Sequence, residues 1–175
     1  MTTDNRNAVA RIEELVRLGM MDAAEQACRQ VLDHDAREHK AWAWLAMLRL
    51  VRQQASEAEA AIRQAISIFS GDARYWNTLS LALRLQSRFA DAETASRQSL
   101  ALDDASEYWS GLGDCLFEQR HWDAAASAYQ QALSRNQHQP QVWTNLGAAE
   151  HARGNLDAAE IAFQRSLAQI GRAHV

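Results

Sequence analysis

Several features are scarce in this sequence, and the scarcity of cysteine and of long apolar runs argues against particular classes of structure. Among 175 residues there are one proline, Pro140, and two cysteines, Cys28 and Cys115. The cysteines lie far apart and nothing else indicates secretion, so we expect two free, buried thiols that act as small apolar groups, and no disulfide. No run of about 18 apolar residues is present, so the sequence predicts no membrane-spanning helix.

Concentrated positive charge is also missing. The net charge is −4, and the 18 basic residues, of which only Lys40 is a lysine, form no cluster. A nucleic-acid-binding protein needs such a cluster to neutralise phosphates, so we exclude that class. The segment from Met1 to Arg6 lacks the charged and then apolar plan of a secretory signal. We therefore predict a cytoplasmic protein.

Residue patterns typical of catalysis or metal binding do not occur. The six histidines lack the paired spacing of a helix-borne zinc site, and the sequence has no glycine-rich phosphate loop and no nucleophile elbow. Gly111 and Gly113 fall inside one predicted helix, where we expect them to allow close packing. We therefore predict no enzyme activity, no cofactor and no metal site in these 175 residues.

What the sequence does contain is a repeat. Four tryptophans, Trp42, Trp76, Trp109 and Trp143, are spaced 34, 33 and 34 residues apart. A leucine follows each tryptophan by three residues, a small residue comes next, and an alanine follows the tryptophan by sixteen residues. Self-similarity at this period indicates stacked supersecondary units. The apolar spacing inside each copy is helical, and no alternating strand pattern occurs.

This pattern resembles the tetratricopeptide repeat family over nearly the whole chain. In the family's order, the best copy reads Trp143, Leu146, Gly147, Gly154, Ala159 and Phe163. The resemblance implies an all-α fold, a right-handed α-solenoid of antiparallel helix hairpins with five repeats and about ten helices. Within a hairpin, the small residues let the two backbones approach, and the tryptophan and leucine fill the remaining space.

The register of the tryptophans places the repeats at 5–38, 39–72, 73–105, 106–139 and 140–169, and the first helix of the first copy is degenerate. The predicted helices are roughly 6–18, 22–34, 39–52, 56–69, 73–86, 90–102, 106–119, 123–135, 140–153 and 157–169. The family usually has a proline near the end of each repeat. Those positions here hold Ala36, Ser70, Asp104, Gln137 and Gly171. The resemblance therefore leaves the geometry of the turns between repeats undetermined.

The last six residues, 170–175, read Ile-Gly-Arg-Ala-His-Val. This hexapeptide resembles the translation of a sequencing adapter, so we expect a non-native tail that follows Gln169. Arrays of this family usually finish with a polar capping helix, and none follows the last predicted helix. The alternative is a natural short array that caps itself by self-association.

The first helix of each repeat lines a concave groove in this family, and the resemblance therefore implies a peptide-binding groove. The residues that we assign to it are Trp44, Met47, Val51, Asn77, Thr78, Leu81, Arg84, Asp114, Phe117 and Asn145. Four large apolar residues of the second and third repeats, Trp44, Met47, Val51 and Leu81, are predicted to cluster in it, and an exposed apolar cluster usually marks a binding site. Trp44 lies outside the repeating tryptophan position. It either contacts a partner or packs against a neighbouring helix, and the sequence leaves both open.

Charge along the predicted groove is polarised, with basic residues early and acidic residues late. A peptide with an apolar centre and oppositely charged ends would fit this pattern, and so would ordinary scatter of surface charge. The known ligand modes of the family are not matched: the lysine and asparagine of its carboxylate clamp are missing, and only Asn145 fits its asparagine ladder.

Three functions are open from the sequence. The first is a protein-interaction scaffold that binds a protein or peptide segment in its groove, with no nucleic-acid or membrane partner. The second is the substrate-handling N-terminal part of a larger bacterial glycosyltransferase, similar to O-linked N-acetylglucosamine transferases, or of a sulfotransferase. The third is self-assembly through the uncapped C-terminal helix.

Overall fold

The computed structural model describes residues 3–172, and the regular structure in that range consists of α-helices without a strand. The helices are α1 (Thr3–Arg17), α2 (Met21–His34), α3 (His39–Val51), α4 (Ala55–Ile68), α5 (Ala73–Leu85), α6 (Phe89–Leu102), α7 (Ser106–Glu118), α8 (Trp122–Arg135), α9 (Pro140–Ala152) and α10 (Leu156–Arg172). The all-α prediction is confirmed, and each predicted helix end lies within three residues of the observed one. Of the predicted tail, residues 170–172 continue α10, and residues 173–175 lie outside the described range.

Local sequence explains several helix starts. The Asp72 side chain accepts a hydrogen bond from the backbone N–H of Arg74 at 3.0 Å, which caps α5. Glu38 caps α3 in the same way, through the N–H of Lys40 at 3.3 Å. Pro140 is the first residue of α9, where its missing N–H has no helical partner to lose.

The turn inside each hairpin requires a residue in the left-handed region. Gly19 and Gly154 have φ values of 73° and 86° there. The same register positions in the other copies hold Gln53, Ser87 and Arg120, with φ values of 60°, 59° and 62°. Three of the five turns therefore place a non-glycine residue in a conformation that disfavours a Cβ atom.

The repeating tryptophans brace the turns between repeats. The Nε1 atom of Trp42 donates to the carbonyl oxygen of Ala36 at 2.9 Å, and Trp76 donates in the same way to Ser70 at 2.9 Å. Trp143 donates to the carbonyl of Gln137 at 3.0 Å. These acceptors occupy the positions where the tetratricopeptide family usually has proline. The indoles are half-buried, so they fill the seam only in part and hold the turn through a polar contact.

The third repeat is one residue short, and its turn is held differently. Trp109 donates to the carboxylate Oδ1 of Asp104 at 2.6 Å instead of to a backbone carbonyl. The Nε atom of Arg135 donates to the backbone carbonyl oxygen of Asp104 at 3.0 Å. The Arg135 guanidinium also lies 5.0 Å from the centroid of the Trp109 ring. The hydrogen bond from the Arg135 guanidinium to the Asp104 carboxylate holds the pKa of that carboxyl below its usual value, with the Trp109 hydrogen bond as the second cause.

The expected close packing within hairpins is present where it is described. A Cβ atom on Gly113 would come within 2.5 Å of the Tyr129 ring, and one on Gly147 would come within 2.6 Å of the Phe163 ring. A large ring on the second helix therefore requires glycine on the first. In the second repeat the position of the glycine holds Ala46, which is larger, and the position of the aromatic ring holds Ile62, which is smaller.

The chain divides into two compact units, Met1–Ser87 and Arg88–Val175. In the N-terminal unit, α1 contacts α2 and α3, and α3 contacts α4 and α5. One core cluster there is built from Ile12, Ala24, Cys28, Val31, Ala41 and Leu48.

The C-terminal unit has a core of its own, in which α8 packs against α7 and α9, and α9 packs against α10. Leu112, Tyr129, Leu133, Val142 and Leu146 belong to that core. Cys28 and Cys115 are free, buried thiols, as the sequence predicts. Among the described residues, no helix combines the length and apolarity that crossing a membrane requires.

Candidate functional site

The N-terminal unit contains a cavity of about 260 Å³ on the side formed by α1, α3 and α5, which we call the α3 cavity. Residues of all three helices line it: Glu13, Lys40, Ala43, Trp44, Met47, Arg74, Tyr75 and Thr78. Three of these, Trp44, Met47 and Thr78, belong to the groove predicted from the sequence. Helical periodicity places Trp44 and Met47 on one face of α3, because residues three apart on a helix share a face. Thr78 comes to the same cavity from α5.

The position of Trp44 bears on the two alternatives that the sequence left open. The indole is half-buried and packs against the core cluster around Ile12 and Leu48. It also forms part of the wall of the α3 cavity. Trp44 therefore belongs at once to the packing of the N-terminal core and to the wall of the cavity.

Apolar side chains continue from the α3 cavity toward the C-terminal ends of α3 and α5. Met47 is 47% exposed and Val51 is 66% exposed, and Leu81 and Leu85 are exposed on α5. A helix at the surface of a globular protein normally turns its large apolar side chains toward the core. Several such side chains exposed next to one another therefore indicate a contact surface.

The charges at the α3 cavity are mainly basic. Lys40 makes no ion pair with any described residue. Arg74 is held by Asp72, with Nη2 and Oδ2 2.6 Å apart, and its hydrogen bond keeps the pKa of the Asp72 carboxyl below its usual value. Arg17, another residue of the predicted early basic set, pairs locally with Glu14 at 2.6 Å. The polarised charge predicted from the sequence is thus partly neutralised within single helices and turns.

Tyr75 is a wall residue that the sequence did not single out. Its hydroxyl lies 2.8 Å from Nδ1 of His39, and the His39 ring lies 5.0 Å from the ring of Phe69. Burial raises the pKa of the Tyr75 phenol to about 12, with the Asp72 carboxylate as the next cause, so the hydroxyl stays protonated at neutral pH. The sequence signal that could have identified Tyr75 is its aromatic match with Tyr108, since each lies one residue before a repeating tryptophan.

The remaining predicted groove residues of the N-terminal unit surround the cavity without lining it. Asn77 and Arg84 are half-buried on α5. Thr78, which does line the cavity, donates from Oγ1 to the carbonyl of Arg74 at 2.8 Å. Leu81 is 40% exposed one turn beyond Thr78.

Groove residues predicted for the C-terminal unit contact one another. Asp114 accepts hydrogen bonds on Oδ1 from the Tyr129 hydroxyl at 2.9 Å and from Nδ2 of Asn145 at 3.0 Å. Asn145 in turn accepts from Gln141 at 2.9 Å. Phe117 is half-buried, edge-on to Trp122 at 4.9 Å between ring centroids. These side chains already have partners within the unit, whereas at the α3 cavity Lys40 makes no ion pair with a described residue and Met47 is exposed.

Metal-binding geometry is not found in the part of the chain that the structure describes, where no group of three or more His, Cys, Asp or Glu side chains is placed to hold an ion. The two buried thiols also differ from reactive cysteines. Burial raises the pKa of Cys28 to about 12, with the nearby Glu25 carboxylate as the next cause, so this thiol stays protonated.

Helix hairpins that repeat in register, with a tryptophan at the turns between repeats and an uncovered cavity in the N-terminal unit, define a helical-repeat protein. Two tetratricopeptide repeat family models match the sequence, one over residues 15–82 and the other over residues 111–173. Together they span well over half of the chain, so the protein belongs to the tetratricopeptide repeat family. No curated protein has a significantly similar sequence.

Solved structures show the same fold at low sequence identity. PilW, described as a widely conserved type IV pilus biogenesis factor, has a TM-score of 0.90 at 18% identity, with 98% of this chain and 80% of PilW covered. MamA from Desulfovibrio magneticus RS-1 has a TM-score of 0.85 at 10% identity, with 98% of each chain covered. YrrB, described as a TPR protein with an unusual peptide-binding site, has a TM-score of 0.76 at 15% identity, with 93% of this chain and 84% of YrrB covered.

Proposed function

We propose that the protein is an interaction scaffold and that the α3 cavity of its N-terminal unit is the main contact point for a peptide or helical segment of a partner. The observation that carries this proposal is an apolar cavity bordered by exposed Met47, Val51 and Leu81 and by the unpaired ammonium of Lys40. The fold supports a protein-binding role in general, and the similarity to the peptide-binding protein YrrB agrees with it.

The expected ligand follows from the chemistry of the cavity. A large apolar side chain of the partner would cover Trp44 and Met47, and burying a side chain of that size contributes about 1.5–3 kcal/mol. An aspartate or glutamate near that side chain would pair with Lys40. The partner is therefore a segment with an apolar anchor and an adjacent acidic residue.

A peptide selection would test this function. A phage-displayed library of random 12-residue peptides is screened against the purified protein, and the affinities of enriched peptides are measured by fluorescence anisotropy. We expect the enriched peptides to share an apolar residue beside Asp or Glu. Met47→Glu should weaken their binding by about tenfold or more, because a central contact is lost and a like charge is added.

Met20→Glu is the matched control, since Met20 is an exposed methionine in the turn between α1 and α2 that does not line the α3 cavity. It should leave binding unchanged. Enriched peptides without an acidic residue, or an equal loss in both variants, would contradict the proposed site. Thermal melts followed by circular dichroism establish that both variants are folded.

A second function, self-assembly, is favoured by the surface of α10. Leu167 is 68% exposed, whereas Leu133 at the same register of α8 is only 4% exposed. Phe163 is also exposed, although its counterpart Tyr129 is fully buried. This apolar face of α10 would be covered if two copies associated through it.

Two other predictions are not tested by the structure or by the similarities. These are a role as the substrate-handling part of a larger glycosyltransferase or sulfotransferase, and a cytoplasmic location. The involvement of Asp114, Phe117 and Asn145 in partner binding also stays a prediction, since their observed contacts lie within the C-terminal unit.

A further inference from the structure

A second cavity, of about 410 Å³, lies in the C-terminal unit between α8 and α10, and we call it the α8–α10 cleft. Leu133 and Gln130 of α8 form one wall, and Ile161 and Arg165 of α10 form the other. Residues of α9, including Glu150, close the bottom. The volume is within the range of about 300–1,000 Å³ that is usual for small-molecule sites.

The carboxylate of Glu150 is the unusual group in this cleft. Glu150 is only 3% exposed, and its Oε2 atom makes no hydrogen bond. Its Oε1 is 3.5 Å from Nε2 of Gln130. The nearest cation is Arg153, whose Nε lies 3.6 Å from Oε2 but 3.2 Å from a carboxylate oxygen of Asp123. A buried carboxylate with such incomplete pairing carries a large desolvation cost.

The other seams between hairpins place their carboxylate on the second helix and give it closer partners. Glu25 of α2 lies 2.7 Å from the guanidinium of Arg49 and 2.6 Å from that of Arg52. Glu59 of α4 accepts from Gln86 at 2.8 Å, and Glu93 of α6 accepts from Gln119 at 2.8 Å.

The seam at the cleft departs from that arrangement at two positions. The register position of Glu25, Glu59 and Glu93 is occupied by Ala126 in α8. The register position of Glu150 is occupied in the other copies by Leu15, Arg49, Leu83 and Leu116. The carboxylate has therefore been moved from the second helix to the next first helix. The small Ala126 side chain takes up less of the seam than a glutamate would.

Ile161 is a second departure at the same place. It is 54% exposed, and the equivalent residues of the other copies are Gln26, Ala60, Thr94 and Ser127. The repeat architecture does not need an isoleucine at this outward position. One helical turn along the same wall, the Arg165 guanidinium lies 4.8 Å from the centroid of the Trp143 ring. The cleft thus combines apolar walls with one buried acceptor that lacks a donor.

We propose that the α8–α10 cleft binds a small organic cation in which an ammonium or guanidinium group is attached to an apolar body. The cationic N–H groups donate to Oε2 of Glu150, and the apolar body lies between Leu133 and Ile161. The cation satisfies the buried carboxylate, and the expelled water adds the hydrophobic contribution. Arg165 remains on Trp143 and disfavours ligands that place a second positive charge at that end.

The test uses phenethylamine as the probe, with 2-phenylethanol and 3-phenylpropionate as neutral and anionic analogues of the same apolar body. Binding to the intact protein is measured by isothermal titration calorimetry. We expect the amine to bind at least tenfold more tightly than either analogue. Glu150→Gln, which keeps the shape, should remove this preference. Glu160→Gln, at an exposed carboxylate of α10 outside the cleft lining, should retain it.

A stability measurement separates a ligand site from a purely structural role of Glu150. Glu150→Leu gives this position the residue found at Leu83 and Leu116, so it should raise the melting temperature while it abolishes binding of the amine. Ile161→Ser, the residue of the preceding copy, should weaken binding several-fold without lowering the melting temperature. Equal affinity for the alcohol and the amine, or amine binding that survives Glu150→Gln, would overturn the proposal, and so would a lower melting temperature of Glu150→Leu.

Discussion

The repeating tryptophans show how one residue serves both packing and turn geometry. Each indole packs at a seam, and its N–H group restrains the turn that precedes it. In the shortened third repeat, Asp104 lies five residues before Trp109 instead of six, and its carboxylate replaces the carbonyl acceptor. A side chain has greater reach than the backbone, so a one-residue deletion is accommodated without loss of the hydrogen bond.

Asp104→Asn is expected to lower stability at neutral pH but not in acid. The asparagine can still accept from Trp109, but it loses the charged contacts with Arg135. The folded protein lowers the pKa of the Asp104 carboxyl. The contribution of this carboxylate to the free energy of unfolding is therefore fully present above its ordinary pKa, and it is lost as the pH falls through the lowered pKa of the folded state. Wild type and variant are compared by urea denaturation between pH 7 and pH 3. A difference in midpoint that stays constant down to pH 3 would exclude this role for the charge.

At the scale of a helix hairpin, the turn is the element that carries conformational strain. Gly154 meets the left-handed requirement freely, and a Cβ atom at this position would contact no atom within 4 Å. Arg120, at the same register of the preceding hairpin, adopts φ of 62° with a full side chain. The two turns therefore differ in backbone strain and not in crowding.

Reciprocal substitutions in these turns should change stability in opposite directions. Arg120→Gly is expected to raise the free energy of unfolding by about 0.5–1 kcal/mol, because relief of strain exceeds the entropy that glycine adds to the unfolded chain. Gly154→Ala should lower it by about 1–2 kcal/mol for the same reason. Denaturant titrations of both variants at pH 7 provide the measurement. A stabilised Gly154→Ala protein would show that the left-handed turn does not control hairpin stability.

At the scale of the whole molecule, the first and last helices have different exposed faces. Where α9 has Val142, Leu146 and Ala149 in its core face, α1 has exposed Asn7, Arg11 and Glu14 at the same register. The first helix is thus polar toward solvent, while α10 exposes Leu167 and Phe163. A polar face and an apolar face do not complement each other, so stacking of α1 on α10 of another copy is disfavoured, and association should pair α10 with α10.

Self-association through α10 should therefore stop at a dimer. Sedimentation equilibrium data between about 5 and 100 µM are expected to fit a monomer–dimer equilibrium. Modest apolar interfaces typically dissociate in this concentration range. Leu167→Glu should leave only monomer. Leu102→Glu, at an exposed leucine of α6, should leave the equilibrium unchanged. Open-ended polymers, or a monomer at the highest concentration in the wild type, would rule out this assembly.

Much of the architecture could be predicted because repeat proteins encode structure locally. The spacing of Trp42, Trp76, Trp109 and Trp143 indicated the hairpin period, and it located helices whose observed ends differ little from the predicted ones. The small residues Gly113 and Gly147 marked close packing, which the Tyr129 and Phe163 rings confirm. The cavity was predicted only in part: Trp44, Met47 and Thr78 line it, whereas Val51 and Leu81 are exposed beyond it and Tyr75 was missed.

The sequence by itself determined the helices, their pairing into hairpins and the family, because each depends on contacts between residues near in the chain or repeated at a fixed interval. Tertiary structure alone decided which polar groups have partners. Asp114 is engaged by Tyr129 and Asn145, while one oxygen of Glu150 is buried without a hydrogen bond. Hydrogen bonding depends on distances of a few tenths of an ångström between side chains of different helices, and residue spacing along the chain does not specify them.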